Sequence, residues 1–182
     1  GEDSQTPGNI SGGTATTVPI GSHQPETGPA APGYSEVAKA SNAYFQYINA
    51  SGGINGRKIV YKYLDDGYNP ATTVTDVKQL IEQDNVFAIF NGLGTPTHEA
   101  ALPLINQHKT PDLFVASGCT CWNNVASDPY TFGWQPDYTV EGKILGQYVA
   151  QNFKGQKVAI FAQGDDFGRD GMKGFEQEVP AS

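Results

Sequence analysis

The sequence has little of what several large classes of protein need. Lys and Arg number 11 against 19 Asp and Glu, and the resulting formal charge of -8 argues against a nucleic-acid partner, which requires clustered basic side chains. The three histidines are scattered along the chain, which argues against a His-based metal site. No run of about 18 apolar residues could span a bilayer. No signal peptide precedes Gly1, so we expect the mature form of an exported chain.

Local signatures of catalysis are also missing. The sequence contains no Gly-x-Ser-x-Gly elbow and no Ser-x-x-Lys pair. The adjacent carboxylates Asp65-Asp66 and Asp165-Asp166 end predicted strands, where neighbouring side chains point to opposite faces, so we expect solvated turn caps rather than an acid/base pair. Cys119 and Cys121 with His98 would lack a fourth zinc ligand. We therefore expect no enzyme, no cofactor and no metal.

Residues 1–17 are rich in Gly, Ser, Thr and Pro and have almost no large apolar side chain. Such a segment buries too little surface to offset the entropy lost on ordering, so we predict a flexible tether. An ordinary terminal tail is the alternative.

Predicted strands and helices alternate from Val18 onward. A chain of this length can bury roughly 70% of its unfolded surface. Alternating units of this kind favour an α/β fold with a doubly wound parallel sheet. The predicted strands are 18–22, 59–64, 86–90, 113–116, 130–134 and 158–162, and the predicted helices are 34–50, 71–83, 97–107, 140–153 and 170–178.

The stretch from Ile48 to Asp66 is the most informative part of the chain. An amphipathic helix ends on Gly52-Gly53, which supply the left-handed backbone of a helix terminus. Asn55-Gly56 supply a tight turn, and the strand that follows ends on Asp65-Asp66. The stretch therefore predicts a helix, a turn and a strand in direct succession.

Several short motifs occur here in a characteristic order: Ile20-Gly21-Ser22, Thr27-Gly28-Pro29, the Ile48 to Asp66 stretch, and Asn69-Pro70. In order and spacing they resemble the type I extracytoplasmic solute-binding proteins, specifically the branched-chain amino-acid receptors of ABC importers. The resemblance extends to about Phe175. It implies a first periplasmic-binding-protein lobe over 18–135, and a hinge crossing with an incomplete start of a second lobe over 136–182.

Three predicted loops meet at the carboxyl edge of the sheet, where open parallel sheets bind ligands: 23–33, 91–97 and 117–123. In the second loop, Gly92-Leu93-Gly94-Thr95-Pro96-Thr97 offers a close-approach backbone, with Thr97 expected as the helix cap. Such a loop suits a carboxylate. A dinucleotide fingerprint is disfavoured, because Thr97 stands where a third glycine should and Asp112 starts a strand rather than ending one.

The resemblance also implies individual site residues. Thr120 matches the family threonine that holds the ligand's main-chain groups, and Cys119 stands where the family has alanine. The other implied ligand-binding positions are Tyr34, Gly94, Thr95, Ser117 and Phe167. The two aromatic residues among them have core packing as an alternative role.

The expected function is the non-enzymatic capture of a branched-chain or related amino acid, or another small carboxylate, by hinge closure. The resemblance implies ABC permease subunits as partners and an extracytoplasmic location. In Gram-positive relatives a tether follows a lipid-modified cysteine, which this sequence does not contain, so membrane association would require an anchor outside it. The alternatives are an extracellular sensor domain without a transporter, and an enzyme on a flavodoxin-like sheet.

Cys119 and Cys121 are the only cysteines, and they flank Thr120. Outside the cytoplasm such a pair tends to oxidise, and residues two apart can bring their Cα atoms within the roughly 4.4–6.8 Å that a disulfide needs. A bridge would orient Thr120 toward the cleft. Two free thiols are the alternative.

Overall fold

The computed structural model describes residues 12–179. The predicted tether at 1–17 therefore lies largely outside the described residues. The strands are β1 (Thr17–Gln24), β2 (Lys58–Asp65), β3 (Ala88–Phe90), β4 (Asp112–Val115) and β5 (Thr131–Gly133). The helices are α1 (Ala31–Tyr34), α2 (Glu36–Ala50), α3 (Pro70–Glu82), α4 (Thr95–Gln107), α5 (Tyr138–Asn152) and α6 (Asp166–Phe175), and a 3₁₀ turn covers Thr120–Asn123.

The described strands form one parallel sheet in the order β2-β1-β3-β4-β5. This confirms the predicted α/β class and the parallel, doubly wound sheet. The chain passes from β1 to β2 on one side and then returns to place β3 on the other side of β1. That reversal opens a crevice at the carboxyl ends of β1 and β3, which is where open parallel sheets bind ligands.

Helices α3 and α4 cover one face of the sheet. The side chains at this interface are fully buried, namely Val77, Leu80, Ile89, Ala101 and Ile105. Complete burial of one large aliphatic side chain contributes roughly 1.5–3 kcal/mol. The interface therefore fixes α4, whose first turn faces the crevice, firmly to the strands.

Helix α2 covers the opposite face through Phe45, whose ring meets Tyr61 and Phe90 edge to face with centroids 5.1 and 5.3 Å away. Helical spacing in the sequence predicts an apolar face made of Val37, Ala40, Tyr44, Tyr47 and Ile48, and this prediction is wrong in part. Tyr44 and Tyr47 are 61% and 68% exposed, and Ala38 and Phe45 are buried instead. The aromatic partners on β2 and β3 select Phe45 and so set the rotation of the helix.

The predicted buried strand at 158–162 is also wrong. This segment is exposed and carries no strand, because no described strand lies beside it to exchange backbone hydrogen bonds. Helix α6 begins at Asp166 rather than at 170, since the carboxylate of Asp165 accepts a hydrogen bond from the Gly168 amide and caps the helix.

Helices α5 and α6 pack on each other through glycines. A Cβ atom added at Gly142 would lie 2.1 Å from the carbonyl oxygen of Gly171, so the two backbones are in direct contact. Among the described helices, none is long and apolar enough to cross a membrane.

Candidate functional site

A cleft of about 310 Å³ lies at the carboxyl edge of the sheet. Four of the residues implied by the sequence line it together: Tyr34, Gly94, Thr95 and Phe167. Phe167 comes from α6, Tyr34 is the last residue of α1, and Gly94 and Thr95 are the N-cap and the first residue of α4. The remaining lining residues are Pro29, Ala30, Pro32, Tyr68, Leu93, Ala116, Tyr138 and Gln163.

The first turn of α4 forms one wall of the cleft. The helix begins at Thr95 with Gly94 as its N-cap, so the expected cap at Thr97 is wrong. Pro96 fits the first turn because it has no N–H to satisfy, and the Thr97 hydroxyl donates to the carbonyl oxygen of Leu93 at 2.7 Å. The backbone N–H groups of Thr95 and Thr97 have no acceptor inside the helix. These donors, at the positive end of the helix dipole, can bind a carboxylate.

The side chain of Thr95 is held in place by Ser117. Their hydroxyl oxygens are 2.6 Å apart, both residues are buried, and the Ser117 oxygen also accepts from the Cys119 amide at 3.2 Å. Ser117 and Cys119 do not line the cleft but lie directly behind Thr95. Ser117 and Cys119 therefore hold the Thr95 side chain in position.

The structure joins Cys119 and Cys121 by a disulfide, with Cα atoms 5.2 Å apart. Cys119 packs with Val115 and Trp122 in a small buried cluster beside the cleft. Both sulfur atoms also lie within 4.8 Å of a Glu99 carboxylate oxygen, but the thiolates that a metal would need are bonded to each other.

Thr120 is exposed and does not line the cleft. Its amide donates to Asp170 of α6 at 2.8 Å, and its hydroxyl donates to the same carboxylate at 3.1 Å. A protein carboxylate thus occupies the two donors that the resemblance assigns to a ligand. The contact ties the loop after β4 to α6.

Eight residues that line the cleft were not among the predicted binding residues, and three of the eight have a polar side chain: Tyr68, Tyr138 and Gln163. Tyr68 follows β2 in a left-handed conformation (φ 60°), and its hydroxyl accepts a hydrogen bond from Gln163 at 3.2 Å. The ring of Tyr138 lies 4.6 Å from that of Phe167. The turn after Asp65-Asp66 places Tyr68 at the ligand edge, which the sequence could have indicated. Tyr138 and Gln163 carry no comparable signal.

Asp66 is buried, contrary to the expectation of a solvated strand end. One of its carboxylate oxygens lies 2.8 Å from His23 Nδ1, and the other accepts from the Tyr68 amide at 2.8 Å. Two histidines that are scattered in the sequence also meet, with His23 Nε2 2.8 Å from His98 Nδ1. His98 Nε2 lies 2.7 Å from Asp112, so His98 is committed to this buried group.

No described residue that lines the cleft has a charged side chain. Acidic groups lie close by on α4 and α6. Burial, followed by a hydrogen bond to Asp166, raises the pKa of Glu99 to about 7. The same hydrogen bond, followed by the one to Arg169, lowers the pKa of Asp166. The cleft therefore offers hydrogen-bond donors and aromatic surface.

The chain matches the periplasmic binding protein family over residues 17–182. It is 25% identical over 177 residues to Leu/Ile/Val-binding protein homolog 3 of Brucella melitensis, covering 89% of this chain and 44% of that protein. A solute-binding protein of an ABC transporter from Rhodopseudomonas palustris, solved with 3,4-dihydroxybenzoic acid, is 30% identical with a TM-score of 0.73 and covers 89% of this chain and 43% of that one.

The fold is also that of the branched-chain amino acid transporter substrate-binding protein LivJ from Streptococcus pneumoniae, solved with isoleucine. The TM-score is 0.80 at 22% identity, with 90% of this chain and 47% of that one covered. The chain thus spans less than half the length of each of these relatives.

Proposed function

This chain belongs to the type I periplasmic binding proteins of the branched-chain amino-acid receptor family, and from that membership we propose that it forms the first lobe of a receptor that captures a branched-chain or related amino acid for an ABC importer. The family consists of solute-binding receptors rather than enzymes. The proposal includes ABC permease subunits as partners and an extracytoplasmic location.

One observation carries the proposal. Thr95, at the start of α4, lines a cleft that has no charged side chain, and its backbone N–H has no acceptor inside the helix. A ligand carboxylate would accept hydrogen bonds from the Thr95 hydroxyl and from the N–H groups of the first turn. Its apolar side chain would pack against the rings of Tyr34, Tyr68 and Phe167.

The cleft has residues from two segments of the chain, which is the arrangement expected of closure about a hinge. We assign 18–135 to the first lobe and 136–182 to the crossing and the start of the second. Gln163 and Phe167, from the second segment, line the cleft together with Tyr68 and Gly94 from the first. Binding would then shift the population toward the closed arrangement, because a ligand touching both segments favours it.

An aromatic acid is the second candidate ligand. The aromatic rings along the cleft favour it, and so does the 3,4-dihydroxybenzoic acid bound by the Rhodopseudomonas relative. Its carboxylate would use the same donors on α4. Its ring would replace an aliphatic side chain between the aromatic walls.

A thermal-shift screen of the full-length protein tests the proposal with L-leucine, L-isoleucine, L-valine and 3,4-dihydroxybenzoate. A ligand at 100 times its Kd stabilises the folded state by about 2.7 kcal/mol. Thr95→Val should weaken binding by about 1–3 kcal/mol, because a charged acceptor loses a donor. Thr75→Val, on the exposed face of α3, is the matched control and should leave affinity unchanged. Absence of a shift with every compound would contradict the proposal.

A further inference from the structure

Four buried side chains form one continuous hydrogen-bonded chain behind the cleft. Asp66 contacts His23 Nδ1 at 2.8 Å, His23 Nε2 contacts His98 Nδ1 at 2.8 Å, and His98 Nε2 contacts Asp112 at 2.7 Å. Each of the four residues is at most 1% exposed. The contacts join residues from the ends of β1 and β2, the first turn of α4, and the start of β4.

The number of protons in this chain follows from its geometry. Each of the three contacts joins two atoms that both carry lone pairs, so each needs one proton between them. Two ionised aspartates and two neutral histidines supply only two protons. The remaining contact would then bring two lone pairs together, away from water, which costs free energy. The four hydrogen-bonded side chains therefore hold a third proton. Their combined net charge is one negative unit rather than two.

Neutral groups from the surrounding elements hold the ends of the chain. The hydroxyl of Thr73 on α3 donates to Asp66 at 2.9 Å, and the hydroxyl of Thr131 on β5 donates to Asp112 at 2.8 Å. Gly92 packs against the contact between the two histidines. A Cβ atom added there would lie 2.5 Å from His23 Nε2 and 2.6 Å from His98 Nδ1.

Burial favours the neutral form of His23. It lowers the pKa of His23, an effect partly offset by the hydrogen bond to Asp66. The other charged groups that act on His23 are His98 and Asp112. A neutral His23 that donates from Nδ1 to Asp66 presents the lone pair of Nε2 to His98, so the proton between the rings belongs on His98 Nδ1.

Each half of this hydrogen-bonded chain of side chains supports one wall of the cleft. Asp66 accepts the Tyr68 amide, which fixes Tyr68 in its left-handed conformation with the ring in the cleft. His98 lies in the first turn of α4, and its amide donates to the carbonyl oxygen of Gly94. The two walls are thus joined through the His23–His98 contact.

We infer that Asp66, His23, His98 and Asp112 act as positioning residues for the ligand site, with a bound third proton that holds the Tyr68 turn and the first turn of α4 together. The effect on ligand binding rests on the proposed function, whereas the proton count does not. Loss of that proton at higher pH would separate the two rings and loosen both walls.

Long-range nitrogen–proton correlation spectra of the histidine rings test the proton count on full-length protein without ligand at about pH 7. We expect a proton between the rings, on His98 Nδ1. A pattern with His23 protonated only at Nδ1 and His98 only at Nε2 would overturn the inference. His108, which is partly exposed beside Glu82, serves as the internal reference.

Calorimetric titration with L-isoleucine across a range of pH tests the positioning role. We expect wild-type affinity to fall as pH rises and the third proton leaves. In Asp112→Asn that fall should disappear, because the side-chain amide donates an N–H to His98 Nε2 and supplies the third contact without a titrating proton. His98→Gln should weaken binding about tenfold or more, and His108→Gln should match the wild type.

Unchanged pH profiles in folded Asp112→Asn would overturn the positioning role even if His98→Gln proves too unstable to measure. If L-isoleucine does not bind the wild type, 3,4-dihydroxybenzoate replaces it as the probe. Failure of both probes would contradict the proposed function and remove the role at a ligand site, while the ring spectra would still decide the proton count.

Discussion

A methyl group added at Gly94 should damage the cleft more than a methyl group added at an equally unusual backbone position elsewhere. Gly94 has φ 108° and ψ 145°, a region that side chains rarely adopt. The new Cβ would lie 2.3 Å from the Thr97 hydroxyl oxygen and 2.6 Å from a ring carbon of Tyr68. The Thr97 hydroxyl is bonded to the carbonyl oxygen of Leu93, so it cannot turn away without losing that hydrogen bond.

The expected cost has two parts. Forcing a side chain into such a backbone region costs about 1–3 kcal/mol, and overpacking a rigid site costs about 1–3 kcal/mol more. Gly52→Ala is the matched control, because Gly52 has φ 100° at the end of α2 and nothing within 4 Å of an added Cβ. Gly52→Ala should lose only the free energy of the unfavourable backbone conformation.

Urea unfolding of both variants and the wild type measures the difference. We expect Gly94→Ala to lose about 1–3 kcal/mol more than Gly52→Ala, with unchanged m values. Ligand affinity should fall only in Gly94→Ala, since its methyl group displaces the Tyr68 ring. Equal losses of stability within about 0.5 kcal/mol would refute the close packing of this loop against Tyr68.

Three further perturbations have defined outcomes. Burial raises the pKa of Glu99 to about 7 from 4.5, so the folded state binds more protons than the unfolded state between these values and stability falls as pH rises through that window. Glu99→Gln should flatten this slope in urea unfolding at several pH values, and an unchanged slope would show that another group sets it. Replacing Cys119 and Cys121 by serine should lower ligand affinity more than it lowers stability. The loss of stability should be small, because closing so short a loop removes little entropy from the unfolded state. Two reactive thiols per wild-type chain in denaturant would show that no bridge exists. Asp170→Asn should cost about 1 kcal/mol and speed amide exchange at Thr120, since the acceptor loses its charge; unaltered exchange would contradict that contact.

The sheet could be predicted from sequence because short apolar runs and turn residues mark parallel strands locally. Each of the five observed strands overlaps a predicted one. The run at 158–162 has the same apolar pattern, yet a strand forms only where a neighbour exchanges hydrogen bonds with it, and no local pattern reports that. The prediction of which face of α2 is buried was wrong for a similar reason, because the aromatic partners of Phe45 lie on strands distant in sequence.

The candidate site was predictable only in part. The loop that carries Gly94 and Thr95 follows a strand and precedes a helix, so its place at the ligand edge follows from topology. The contact between His23 and His98 joins residues 75 positions apart and needs the register of the sheet. Gln163 reaches the cleft from an irregular segment, and no sequence period indicates such a position.

A crystal structure of the full-length protein with a ligand from the thermal-shift screen will show whether this cleft is the ligand site. We predict the ligand's carboxylate within hydrogen-bond distance of Thr95 and the first N–H groups of α4, with its apolar part against Tyr34, Tyr68 and Phe167. A ligand bound elsewhere, with this cleft empty, would show that the cleft is not the ligand site.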